Sequence, residues 1–264
     1  MPRQLRKLEC DIVLLQEIYG YRNRHWLAES LKDVYPHAIY PRMKRNFGLE
    51  NGLMAFSRYF ASGNVELFRD TPRHEALFDS KGMLITQHRL SEEDVLTAVN
   101  FHTTAGGVFK HPEDRRTEGI RARQIAQVLD CASRLSSPLI VAGDLNAGPG
   151  VSEVNFRQIL NAGFVSLHDL LHSQSPDVTW DPRNSLNVDG PHKTSPPQRI
   201  DHVFIRSEDW RENRVRPLSS AICLLEPVVQ VESGTVVTVS DHFGICVEID
   251  VSREALSGGA DGTC

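Results

Sequence analysis

The sequence predicts an α/β protein in which strands outnumber helices and the helices are inserted between them. Two observations carry this reading. Short apolar runs recur along the chain, and several stop abruptly on a carboxylate or an imidazole. Other stretches space their apolar residues three and four apart, as amphipathic helices do.

In chain order, residues 11–17 (Asp-Ile-Val-Leu-Leu-Gln-Glu) read as a strand ending at Glu17. Residues 23–34 place Trp26, Leu27, Leu31 and Val34 on one helical stripe, and Tyr35-Pro36 ends it. Residues 51–58 are a turn into a buried strand, and 65–68, 82–86 and 95–101 are further strands. Residues 104–118 form a charged, Gly-bearing loop suited to closing over a site, before a helix over 120–135. Leu139-Ile140-Val141-Ala142 is a buried strand broken by Gly143-Asp144-Leu145-Asn146. A short helix over 156–162 ends at Gly163, and the Pro-rich stretch 175–197 is a long loop. Residues 228–231 and 236–239 fit a hairpin whose valines are expected in the core. Residues 253–264 read as a disordered tail, which leaves 1–252 as one catalytic domain spanned by its motifs.

Composition narrows the classes. A net charge of −5 over 264 residues gives no overall basic field for nucleic acid. The basic clusters Arg42, Lys44, Arg45 and Arg115, Arg116, Arg121, Arg123 read as solvated faces. Five cysteines (Cys10, Cys131, Cys223, Cys246, Cys264) make no CxxC pair and no zinc spacing, which favours reduced thiols and a cytoplasmic protein. No run is long and apolar enough to span a membrane, and the first ten residues hold no signal core.

Five short motifs carry chemistry. Asp144 and Asn146 are two apart, so an extended backbone would point both the same way, suiting a hydrated metal and a phosphate oxygen. Gln16-Glu17, His102-Thr103, Arg199-Ile200-Asp201 and Ser240-Asp241-His242 likewise sit at strand ends. In chain order, the five resemble the motifs of the endonuclease/exonuclease/phosphatase superfamily of magnesium-dependent phosphoesterases. The resemblance implies a four-layer α/β sandwich, two packed mixed sheets flanked by helices.

It also implies roles. Glu17 would bind Mg²⁺, with Mn²⁺ as an alternative, and Asp241 would bind metal directly or through water. His242 would be the general base, its other ring nitrogen held by Asp201. His102 would donate to a phosphate oxygen, Asp144 would orient the attacking water, and Asn146 would bind a phosphate oxygen. Arg199 would support the site through a salt bridge. Trp180 would stack on substrate or pack. The chain departs from the family at its start: only residues 3–9 precede Asp11, too few for the usual first strand and its Asn, as expected of a fragment, a wrongly assigned start or a protein that works without that ligand. Two stretches resemble the neutral sphingomyelinase branch: Asn51-Gly52-Leu53-Met54-Ala55-Phe56-Ser57-Arg58, and Ser80-Lys81-Gly82 after Phe78-Asp79. Lys81 would then lie near the catalytic centre or, as an ordinary turn lysine, in solvent. The expected substrate is a phosphodiester, a phospholipid at a membrane surface. A DNA-repair nuclease or tyrosyl-DNA phosphodiesterase is the alternative, and a non-catalytic phosphate-binding member a third.

Overall fold

The computed structural model describes residues 1–41, 51–72, 75, 80–105, 115–136, 138–173 and 175–252. The basic cluster Arg42, Lys44, Arg45, the Phe78-Asp79 pair, most of the 104–118 loop and the 253–264 tail lie outside them. The largest sheet has six strands in the order β4-β5-β6-β7-β9-β8. Here β4 is Phe60–Leu67, β5 Gly82–Arg89, β6 Val95–His102, β7 Leu139–Asp144, β8 Phe164–Ser166 and β9 Asp201–Arg206. Only β6 and β7 run parallel, so the sheet is mixed. The 19-residue helix α3 (Arg115–Ser133) makes the crossover a parallel pair requires. It starts inside the span read as loop.

Side-chain alternation explains the layers. On one face of this sheet, Met83, Ile85, Val99, Phe101, Leu139, Val141 and Phe204 form a core with Ile125, Val128 and Ala132 of α3. Phe156 and Ile159 of α4 (Glu153–Asn161) join the same core. On the other face, Leu96, Ala98, Ile140, Ala142 and Ile205 meet a second strand layer. That layer comes as two antiparallel pieces. One is β1 (Ile12–Leu15), β3 (Met54–Ser57) and β2 (His37–Ile39) in the order β1-β3-β2, and the other is β10 (Val215–Cys223) with β13 (Gly244–Val251). Outside it, Leu5 of α1 (Pro2–Lys7) and Leu27 and Leu31 of α2 (Tyr21–Leu31) cover Val13, Met54 and Phe56. Helix, sheet, sheet, helix gives the four layers. Two short helices, α5 (Leu167–Leu171) and α6 (Ser207–Arg211), flank β9 and β10. Among the described residues no helix is long and apolar enough to cross a membrane.

Three expectations are corrected. Trp26 is 58% exposed, and Arg24 takes its place on the buried stripe with Leu27 and Leu31. The spacing i, i+3, i+7 is what keeps those three on one helix face. Arg121 is fully buried rather than solvated, and donates to Thr104 O, Ser152 Oγ and Asn155 Oδ1. The 228–237 hairpin forms as β11 (Val229–Gln230) and β12 (Val236–Val237), yet only Val237 is buried while Val228 and Val236 face solvent. A ladder of two residue pairs belongs to neither large layer, so most of its valines have nothing to pack on.

Candidate active site

Register across the large sheet builds the site. Gly82 on β5 is opposite His102 on β6, His102 is opposite Asp144 on β7, and Asp144 is opposite Asp201 on β9. An imidazole and two carboxylates therefore stand in one row across three adjacent strands. Gly143, just before Asp144, has φ +146°, and a Cβ there would lie 1.9 Å from Phe101 O. Only glycine lets β7 approach β6 so closely at this point.

Beyond Asp144 the chain turns. Asp144 Oδ1 accepts from Asn146 N at 2.8 Å, and Asn146 Nδ2 donates to Asp144 Oδ2 at 3.0 Å and to Thr103 O at 3.1 Å. Asn146 has φ +50°, so this Asx turn, not an extended pleat, brings the two side chains together. The two residues do pair as expected, by a different geometric cause. The Asn146 amide hydrogens hold the loop, which leaves its Oδ1 as the free end.

His102 is the hub. Its Nε2 is 3.3 Å from Asp144 Oδ2, 3.8 Å from Glu17 Oε1 and 2.7 Å from Lys81 Nζ. Lys81 is 6% exposed, which excludes the reading of a turn lysine in solvent. The His102 and Asp144 side chains are 5% and 9% exposed, whereas that of Glu17 is 58% exposed, so Glu17 forms the outer edge. Glu17 adopts φ +58°, costly for a residue with a side chain. The turn fits because Gly52 packs on it: a Cβ at Gly52 would lie 2.8 Å from Glu17 Cα. Gln16 Nε2 donates to Asn100 Oδ1 at 2.7 Å, and Asn100 Nδ2 donates to Leu15 O at 2.9 Å, tying the turn to β6.

His242 arrives from the far end of the chain. Its Nδ1 is 2.9 Å from Asp201 Oδ2, and the Trp180–His242 bridge aligns the two segments. Thr179 Oγ1 accepts from the backbone N–H groups of Ile200 and Asp201 at 3.1 Å each. Burial and the neighbouring Asp144 raise the Asp201 carboxyl, against the pull of His242. Burial alone would lower His242, but the Asp201 charge and hydrogen bond outweigh it and push the imidazole up to about 10. In Asp144 burial is outweighed the other way, and His102, His242 and Lys81 hold it well below the usual carboxylate range. The His242–Asp201 pair therefore rests with a proton on it.

Trp180 is buried, with its ring edge-on to His192 at 6.4 Å. Arg199 is buried and donates to Asp169 Oδ1 of α5 in an ion pair. Asp241 is exposed, with Ser240 Oγ 3.4 Å away, and the structure does not gather it with Glu17. The residues that converge instead are Asp144, Asp201 and His242, one ligand atom from each lying within 4.8 Å of the others. Hard carboxylate oxygens from Glu17, Asp144 and Asp201 suit an oxygen-seeking divalent cation, so the donor set fits one. Sequence reasoning missed the roles of Asn100 and Thr179. Both are neutral side chains in ordinary strand or loop context, and only tertiary register reveals what they bind.

The family model for the endonuclease/exonuclease/phosphatase family matches residues 2–242. The chain belongs to that family. A putative neutral sphingomyelinase of Drosophila melanogaster is 25% identical over 214 residues, covering 78% of this chain and 47% of that protein. Sphingomyelinase C of Listeria ivanovii is 22% identical over 221 residues, covering 75% and 62%. The chain thus spans between about half and three fifths of the curated relatives it matches. Among solved structures, Danio rerio TDP2 complexed with a single-stranded DNA product superposes with a TM-score of 0.68 at 20% identity, covering 94% of this chain and 88% of that one. Staphylococcus aureus beta toxin with bound magnesium ions gives 0.64 at 17% identity, covering 89% and 85%. At such identities these two neighbours share the fold. The family's members are hydrolases acting on phosphodiesters, and this chain retains its motif order.

Proposed function

We propose that this chain is a Mg²⁺-dependent phosphodiesterase of the sphingomyelinase type. The observation that favours a lipid over a nucleic acid is the border of the site. Asn184 Nδ2 donates to Ser240 O at 3.0 Å, and Asn187 Nδ2 to Asp241 O at 2.9 Å, which fastens this loop to the segment carrying His242. Beside those anchors, Leu186, Val188, Val228 and Val236 are each between 44% and 48% exposed. An aliphatic rim suits a lipid surface.

The cation would be held by Glu17 and Asp144, whose carboxylates both approach His102. When bound, it would supply charge neutralisation at the phosphate. His102 donates to a phosphate oxygen, and Lys81 adds positive charge beside it. Asp144 orients the attacking water. His242 takes that water's proton once the His242–Asp201 pair has lost its resting one, and Asp201 then stabilises the imidazolium.

The test is phosphocholine release from sphingomyelin micelles with and without Mg²⁺, run beside an abasic-site DNA duplex and with His242→Ala as control. The lipid alone should turn over, and EDTA or the substitution should abolish it. Cleavage of the duplex instead would move the chain to the repair branch with its site roles intact. Turnover of neither would favour a non-catalytic phosphate-binding member.

A further inference from the structure

Cys10 and Cys246 are 236 residues apart in sequence, yet their Sγ atoms lie 3.5 Å apart. Cys10 stands just before β1, and Cys246 is the third residue of β13. These strands belong to the two separate pieces of the second layer, and among the described residues no backbone ladder joins them. The sulfur pair is thus a direct link across a seam in that layer.

Both thiols are reachable. Val247 and Ile249 of β13 pack inward on the large sheet, so Cys246 points the other way, on the face of exposed Glu248 and Asp250. Cys10 and Cys246 are each partly exposed. The Cys10 thiol has Leu8 O at 3.7 Å as its other partner. A hydrogen bond from Cys10 outweighs burial and draws Cys246 down to about 7, while the same contact raises Cys10. At 3.5 Å, either sulfur is placed to resolve an oxidised partner.

A rival thiol lies close by. Ala221 is opposite Cys246 across the β10–β13 ladder, which puts Cys223, two residues on, diagonally beside Cys246 on the same face. Cys131 is buried in the core on the far side of the large sheet.

We propose that Cys10 and Cys246 are an oxidative modification site, forming a reversible intramolecular disulfide with a peroxide as oxidant. The Cys246 thiolate attacks one peroxide oxygen and breaks the O–O bond. This gives a sulfenic acid and hydroxide, which takes up a proton to become water. The Cys10 sulfur then attacks the sulfenic sulfur. The S–S bond forms, the S–O bond breaks, and the departing hydroxyl leaves as water with the Cys10 proton. Two thiols and one hydrogen peroxide give one disulfide and two waters, and each sulfur loses one electron. The sulfurs must close to about 2.05 Å, a movement of roughly 1.5 Å. A dithiol reverses the reaction by exchange.

The experiment is to treat the full chain with hydrogen peroxide, block remaining thiols, and map peptides by mass spectrometry without reduction. Expected are the loss of two thiols, one Cys10–Cys246 peptide, and a melting midpoint raised by roughly 5–10 °C through closure of so long a loop. Dithiothreitol should restore the reduced midpoint. Cys10→Ser should abolish the cross-link, and Cys223→Ser should preserve it. A cross-link through Cys223, a disulfide between molecules, or sulfinic acid at Cys246 without a cross-link would each overturn the proposal. The map of the unsubstituted protein decides the matter even if a variant fails to fold.

Discussion

The two halves of the candidate site are built by different means. His102, Asp144 and Asp201 are placed by sheet register, with Gly143 closing β7 onto β6. Glu17, Asp241 and the aliphatic rim are placed by turns and loops, held by side-chain hydrogen bonds such as Gln16 to Asn100 and Asn187 to Asp241 O. The row is nearly sealed, and Glu17 is more than half exposed. Under the proposed roles, proton transfer and charge stabilisation rest on the rigid part, and substrate meets the adjustable part. The division follows from the chemistry of each half. Acid–base geometry tolerates little displacement, whereas a substrate surface must be entered and left.

Breaking the rigid half, or the His242 that its Asp201 holds, should have the largest effects. His242→Ala should lower kcat roughly 10³–10⁴-fold with the fold intact, measured by phosphodiester turnover and circular dichroism. Gly143→Ala should cost on the order of 4 kcal/mol or more, because the added methyl meets Phe101 O and the φ is unfavourable. A urea midpoint matching the parent's would show that β7 can shift without penalty. Asp201→Asn should lower kcat roughly 10²–10⁴-fold and also move the pH profile. Asp201 is what raises His242, so without its charge the ascending limb of kcat/KM should shift to lower pH.

Buried histidines sharpen the contrast on the stability side. Burial holds His88 and His202 down at about 4, from an ordinary 6.5. Between those values the unfolded chain binds protons that the folded one refuses. Stability should therefore fall as pH drops from 6.5 toward 4, by about 3 kcal/mol for each group, and stay level above 6.5 on their account. Urea midpoints at pH 7 and pH 4.5 measure it. The smallest effect is expected at the rim. The double substitution Val228→Ser, Val236→Ser should weaken turnover of micellar lipid by about tenfold through lost apolar contact, leaving a water-soluble phosphodiester unaffected. Equal loss on both substrates would remove the rim's role as a lipid contact.

The rigid half is the more legible in the sequence. An apolar run that stops at Gly143-Asp144 announces a strand end, and Ile200 against Arg199 and Asp201 announces a pleat. The lone strand-end residues His102 and Glu17 need the motif order to stand out. What stays hidden depends on partners distant in the chain. The burial of Lys81 comes from pairing of β5 with β6, Arg121 is held by Thr104 and by Ser152 and Asn155 at the start of α4, and Thr179 acquires its role only where its loop meets β9. The exposure of Trp26 and of the 228–237 hairpin departs from expectation for a related reason. Apolar character says what a residue favours, and only the surrounding layers say whether cover exists.

The single-row arrangement of His102, Asp144 and Asp201 bears on how the molecule matures. A slip of one residue between β6 and β7, or between β7 and β9, would turn the displaced side chains to the opposite face of the sheet. The constellation also joins Glu17 to His242, nearly the whole length of the chain, through contacts that incur loop-closure entropy before they form. The row is then complete only once β6, β7 and β9 have all paired in register.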